Sequence, residues 1–324
     1  MPSKVPYKIK QFFFVLIKLS IVVGAFYFIY SKIIKNEYIE FSQFISLLKE
    51  NNTFSAKTIS FLILLSCFNW FFEILKWQQL IKVIKPISFK SAAEQSLGAL
   101  TASLITPNRI GDYGAKAMYY TSTFRKNILG LNLIGNLAQM TITTFFGVIG
   151  LMLFINRYSI AINYLRVAQF GTTLLIIGLI IWLVVKKKWL KIKGFSSVSI
   201  LDFTKSIPLK THGLNLILSL FRYVVFSFQF YYLLHVFGVN ISYSDAMITI
   251  SSMYLLASII PTISIFDVVI KGSIAVFLFG YIEINELTIL SITTLMWLLN
   301  FVIPSTIGSY FVLNFKLPKP IEQC

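Results

Sequence analysis

Acidic residues are scarce in this chain, 12 Asp and Glu against 29 Lys and Arg in 324 residues, and the formal net charge is +17. Charge of either sign is thin, at 13% of residues, too little to keep so apolar a chain dissolved in water. A water-soluble enzyme is excluded. There are two cysteines, Cys67 and Cys324, which argues against a disulfide framework. The two histidines, His212 and His235, have no partners at metal-ligand spacing, so no metal site and no cofactor is expected. No ATP-binding motif is present. No connecting segment exceeds about 30 residues, too short to bury a core of its own.

What the chain has in quantity is apolar surface: 56% hydrophobic and 16% aromatic residues, with a mean hydropathy of +0.77. A membrane helix needs about 20 apolar residues. Six runs reach that length, near 12–34, 59–81, 128–155, 165–185, 214–237 and 286–313. Four shorter pieces form two pairs, 91–106 with 113–124 and 244–260 with 267–280, each interrupted by proline and polar residues. Such pairs suit helical hairpins that enter the membrane and turn back; two tilted full helices are the alternative. The expected fold is therefore all-α: a polytopic membrane protein of about eight helical elements, six full spans plus two re-entrant or broken hairpins.

The basic residues are dispersed between these runs, which argues against a nucleic-acid partner and for topology signalling. With both termini in the cytoplasm, the cytoplasmic segments hold 19 basic residues and the outer ones 6. That asymmetry predicts a multi-pass protein of the cell membrane in this orientation. Lys18, Lys76, Arg222 and Lys271 lie inside apolar runs. The segment 186–213 opens with five lysines around Trp189 and Ile192 and should lie on an anionic leaflet. Phe41, Phe44, Ile45 and Leu48 have the spacing of a short interfacial helix.

The two interrupted pairs also match each other. Ala102-Ser103-Leu104-Ile105 leads to Pro107, Asp112 and Lys116, and Ala257-Ser258-Ile259-Ile260 leads to Pro261, Asp267 and Lys271. Each pair follows two spans and precedes one, so the chain divides into half-repeats 1–160 and 161–324. The first hairpin would enter from the cytoplasm and the second from outside. Same order with opposite orientation is an inverted repeat, which in transporters puts the substrate site where broken elements meet near the midplane.

Pro107 and Pro261 would end the first arm of each hairpin. Asp112 and Asp267 then stand at the start of the second arm, where an Asp can cap free backbone N–H groups. Lys116 and Lys271 lie one turn further on the same face. Two roles remain open for these residues. Each Asp and Lys could simply cap and neutralise the hairpin tip, or the tips, turning at Pro107, Gly111 and Pro261, could gather Arg109, Asp112, Lys116, Asp267, Lys271 and the helix N-termini, with Arg222, into a site for a phosphate-bearing headgroup. Glu73 and Lys76 are spaced to pair locally, and Trp77 reads as an interface anchor. Glu94 reads as a solvated acid near a helix start. Arg222 has no acid within a turn and should face the interior, a cavity, or Asp267 or Glu94.

The stretch Thr106-Pro107-Asn108-Arg109-Ile110-Gly111-Asp112-Tyr113-Gly114-Ala115-Lys116, with Pro261 to Lys271, resembles the lysylphosphatidylglycerol synthase transmembrane, or flippase-like, family. The resemblance extends over about residues 10–315. The chain departs from the family pattern at Asp112 and Lys116, where Glu and Arg are frequent, and at Ser264, Ile265 and Phe266, where Gly is. The resemblance implies an eight-element membrane domain that moves aminoacylated phospholipid between leaflets, alone or fused to a soluble transferase. This chain resembles the membrane half alone, so no synthase activity is implied. Membrane lipids with phosphate headgroups, and a separate lipid-modifying transferase, are the implied partners. An alternative is a membrane enzyme or accessory subunit acting on a lipid-linked aminoacyl or glycosyl donor. Against catalysis, Asp112 and Asp267 offer acid/base groups but nothing positions a third. A small-solute or ion transporter is the third reading.

Overall fold

The computed structural model describes residues 55–104, 106, 109–160, 203–260 and 264–317, with isolated positions before residue 55 and at 172, and without the side chains of 264–269. The expected spans 12–34 and 165–185, the interfacial helix at 41–48, most of the polybasic segment, Pro107, Pro261 and the Asp267 side chain lie outside this description.

Every regular element among the described residues is helical. In chain order these are α1 (Ala56–Ile81), α2 (Phe89–Ser103), α3 (Ile110–Met118), α4 (Arg125–Arg157), α5 (Leu209–Val236), α6 (Tyr243–Ile259), α7 (Ser264–Gly280), α8 (Glu286–Trp297) and α9 (Ile303–Asn314). A π-helical turn, Leu298–Val302, joins α8 to α9. Helices α1, α4, α5 and the continuous α8–α9 rod are each long and apolar enough to cross a membrane. This is a membrane protein, and the four helices coincide with four of the six expected spans.

Each interrupted pair folds as two short helices, α2 with α3 and α6 with α7. Helices α2, α3, α6 and α7 have 15, 9, 17 and 17 residues, below the roughly 20 that a bilayer core requires. Within each hairpin the two arms pack on each other. Both first arms start at a serine cap: Ser88 Oγ accepts from Ser91 N–H at 3.2 Å, and Ser242 Oγ from Asp245 N–H at 3.1 Å.

Helix neighbours follow one pattern. The central pair is α1 on α5; α4 packs on α6, and α9 on α2. Helix α3 meets α4 as α7 meets α8, and α1 meets α2 as α5 meets α6. In addition, α1 touches α4 and the π turn, while α5 touches α8 and α4. Exchanging α1–α4 for α5–α9 maps this set of neighbours onto itself.

Small residues allow the closest of these approaches, as expected where lipid supplies no hydrophobic drive between helices. On α4, a Cβ at Gly147 would fall 2.5 Å from Leu255 Cβ, and one at Gly150 would fall 2.7 Å from Ser251 Cβ. On α9, a Cβ at Gly308 would overlap the Leu97 carbonyl and the Thr101 hydroxyl of α2. Nearby, Thr101 Oγ1 donates to the Ser305 carbonyl at 2.8 Å. Gly308→Ala should therefore force α9 off α2 and cost about 1–3 kcal/mol, read as a lower unfolding temperature in detergent. An unchanged melting curve would contradict this packing.

Candidate functional site

The tip of the first hairpin is built from its threonine. Thr106 Oγ1 donates to the Ser103 carbonyl at 2.9 Å and accepts from Gly111 N–H at 2.9 Å. It takes the capping role expected of Asp112. Gly111 is required there, because a Cβ would lie 2.5 Å from the Ala102 carbonyl of the facing arm. Arg109 precedes α3 in a left-handed conformation (φ 54°, ψ 32°) and makes no side-chain cap. For a residue with a Cβ that backbone costs about 1–2 kcal/mol. Such outliers cluster at ligand sites.

Asp112 and Lys116 brace the hairpin. Asp112 Oδ2 accepts from Asn132 Nδ2 of α4 at 2.6 Å, and its Oδ1 lies 3.2 Å from Lys116 Nζ. Lys116 donates to Asn132 Oδ1 at 2.8 Å, and its ammonium sits 4.7 Å from the centroid of the Trp77 ring. Trp77 is 1% exposed and gives its indole N–H to Gln95 Oε1 at 2.8 Å. It is a core residue, not an interface anchor, because the amide and the cation above its ring satisfy both its polar edge and its face. Tyr120 donates to the same Gln95 oxygen at 3.0 Å. Asp112→Asn should lower the unfolding temperature, because the amide no longer offers a charged acceptor to both Lys116 and Asn132. An unchanged unfolding temperature would contradict this bracing role.

Arg109, Arg222 and Lys271 converge elsewhere. All three line a cavity of about 700 Å³, and none of its described lining residues is acidic. Arg222 lies 13 residues from the start of α5 and 14 from its end. Asn69, also lining, lies 13 and 12 residues from the ends of α1. Asn300 lies 14 from each end of the α8–α9 rod. At 1.5 Å per residue each is about 20 Å from either end, so the cavity sits at mid-height of the spans. Met140, Ile259 and Ile260 also line it and are 53%, 48% and 42% exposed.

An aromatic ring and a chain of amides organise the cations. The Arg109 guanidinium lies 4.4 Å, and Lys271 Nζ 5.7 Å, from the centroid of Phe301, a distance range in which the ring quadrupole attracts a cation. Arg222 Nη1 donates to Glu73 Oε2 at 2.7 Å and its Nε to Asn69 Oδ1 at 3.0 Å. Its acidic partner is thus Glu73 of α1, 149 positions away, and not Glu94. Lys76 Nζ is 2.7 Å from the same Glu73 oxygen, the local pair expected from their spacing. The triad sets two basic side chains against one carboxylate, and of the three only Arg222 lines the cavity.

From Asn69 the chain runs on through the second half. Asn69 Nδ2 donates to Asn300 Oδ1 at 2.8 Å, and Asn300 Nδ2 donates to Gln229 Oε1 at 2.8 Å. Gln229 Nε2 reaches Ser66 Oγ at 2.9 Å and the Leu62 carbonyl at 3.0 Å. Such buried amides must be paired, since an open one in a low-dielectric interior is costly. The Asn300 carbonyl accepts from Trp70 Nε1 at 3.0 Å. Four positions on stands Pro304, which has no N–H to fill that carbonyl.

Compared with family models, with curated proteins and with solved structures, the chain matches none.

Proposed function

We propose that this protein is a lipid translocase of the cell membrane that moves a headgroup-modified phospholipid or lipid-linked intermediate between leaflets. The carrying observation is the mid-height cavity lined both by Arg109, Arg222 and Lys271 and by the exposed apolar side chains of Met140, Ile259 and Ile260. A phosphate-bearing headgroup would occupy the cationic interior while its tails pass over Met140, Ile259 and Ile260 in the bilayer. A soluble ion would have no use for exposed apolar side chains. The pairing of helices supports an inverted repeat of 1–160 with 161–324, with α1 and α5 on the internal axis. Rocking of one half on the other about that pair would open the cavity to each leaflet in turn. The distribution of basic residues supports cytoplasmic termini. The likeness to flippase-like membrane domains points the same way.

The test is reconstitution in phosphatidylcholine vesicles carrying a trace of acyl-labelled fluorescent phosphatidylglycerol. Dithionite added outside should bleach more than the outer-leaflet share, at a rate above protein-free vesicles, with the lipid unchanged by mass spectrometry. Bleaching limited to the outer leaflet would refute translocation, and a modified lipid would indicate an enzyme.

A further inference from the structure

The cavity ends at the ion triad. On α5 its wall is made by Arg222, Tyr223 and Phe226, and on α1 by Asn69 alone among the described residues. The two helices run antiparallel, since Arg222 bonds Asn69 while Gln229, further along α5, bonds Ser66 and Leu62, nearer the start of α1. Glu73 and Lys76, one and two turns beyond Asn69, therefore stand on the opposite side of that level from the cavity. Past them the bundle is packed: Trp77, Leu80 and Ile81 are buried in one cluster with Ala117 of α3 and with Ile128 and Leu131 of α4.

The seam between α1 and α5 is ionic on this side and neutral on the other. Asn69 and Arg222 each stand 13 positions past the first residue of their helix, and Lys76 and Gln229 each stand 20. Toward the end of α5, Gln229 clasps Ser66 and the Leu62 carbonyl with an uncharged amide. Toward the end of α1, the clasp is the Glu73 carboxylate on Arg222 Nη1 at 2.7 Å. An anion in the cavity can compete for the second clasp and not for the first. Arg222 Nη2 is in neither of the bonds to Glu73 and Asn69, so it can donate to a ligand. A phosphate held there would put two negative groups on one guanidinium, and their repulsion weakens the hold on Glu73. Lys76 Nζ, 2.7 Å from the same Glu73 oxygen, is placed to keep the buried carboxylate paired once Arg222 leaves it.

Resting on the translocase reading above, we propose that Glu73 and Lys76 form a latch that makes opening of the cavity toward the start of α5 conditional on an anionic headgroup. The phosphate takes Arg222 over from Glu73, Lys76 retains the carboxylate, and α1 and α5 part on that side. A headgroup without negative charge leaves the latch shut. Glu73 and Lys76 are positioning residues: they act through Arg222 and do not touch the lipid.

The experiment uses proteoliposomes of the full chain with two lipids bearing the same fluorescent acyl chain, phosphatidylglycerol and monoglucosyldiacylglycerol, which has no phosphate. Dithionite accessibility is read per folded molecule. The parent should move phosphatidylglycerol about tenfold faster than the glucolipid. Lys76→Met, melting no lower than the parent, should move phosphatidylglycerol about tenfold more slowly, because Arg222 stays locked on Glu73. In Glu73→Gln combined with Lys76→Met, the amide oxygen still accepts from Arg222 but holds it about half as strongly. Its phosphatidylglycerol rate should return to near the parent value, and the ratio of the two lipids should fall to near unity. Should Lys76→Met not fold, Lys76→Gln takes its place with the same expected loss. A parent-like rate for the single variant, or a parent-like lipid ratio for the double variant, would overturn the latch and leave translocation standing. The same proteins are titrated with inorganic phosphate in neutral detergent, with melting temperature as the readout. Phosphate should stabilise the parent with an apparent affinity about tenfold above that of Lys76→Met; equal affinities would overturn the latch. If no lipid moves faster than in protein-free vesicles, translocation falls, and the phosphate titration alone decides the latch.

Discussion

Glu73→Gln is expected to unfold at a much lower temperature than the parent protein, at a cost of about 3–5 kcal/mol. The glutamine keeps the shape of the carboxylate and removes the only negative charge in its triad. Lys76, 3% exposed, and Arg222, 23% exposed by side chain, would then share a low-dielectric pocket as two unneutralised cations. Lys76→Met should behave in the opposite sense, because it leaves Glu73 and Arg222 as a one-to-one pair with both guanidinium hydrogen bonds intact. Adding Lys76→Met to Glu73→Gln should recover part of the lost stability. Thermal unfolding of the three variants in one detergent checks the order. Equal melting temperatures for the parent and Glu73→Gln would show that the triad is solvated and does not neutralise a buried charge.

Arg222→Lys should cost translocation as much as a charge-removing substitution does. Its guanidinium spends Nη1 on Glu73 and Nε on Asn69, and Asn69 connects to Asn300 beside Phe301. A lysine keeps the charge but not the fork that holds two acceptors at once. Loss of one charge-assisted hydrogen bond, about 1.5–3 kcal/mol, corresponds to about 10- to 100-fold in rate. Vesicle assays at matched protein content read this directly. Parent-like transport by the lysine variant would mean that position 222 contributes charge alone.

The spans were legible because a bilayer imposes a length and a composition. The runs 59–81, 128–155, 214–237 and 286–313 fall within a few residues of the described helices. The breaks at both hairpins were legible because proline and charge interrupt an apolar run. Arg222 and Lys271 stood out as charges inside apolar runs and Arg109 as a charge at a hairpin tip, and they meet in one cavity. Asp112 and Lys116 stood out equally, yet their charges are used up on each other and on Asn132. Spacing shows that two groups can meet but not whether a third, 16 positions on, will close the set. The neutral members of the site, Asn69, Gln139, Tyr254 and Asn300, gave a weaker signal. An amide or phenol in an apolar run costs less than a charge, so hydropathy passes over it. Their partners are also remote, as with Asn69 and Asn300, 231 positions apart. Pro304 was the available clue to the π turn, since a proline inside a span leaves the carbonyl four residues earlier without its usual donor.

The π turn has a meaning for comparative sequence work. Its extra residue rotates everything after it by about 100° relative to an uninterrupted helix. Before the turn the rod buries Ile289, Ile292 and Met296; after it, Ser305, Gly308 and Val312. A homologous span built as plain α-helix would align with this one only through a one-residue gap between 298 and 302. On that side of the gap its counterpart of Phe301 would point away from the cations, or its counterpart of Gly308 would miss α2. The position of a single deletion in an alignment would thus sort relatives that keep the two-cation ring from those that have given it up.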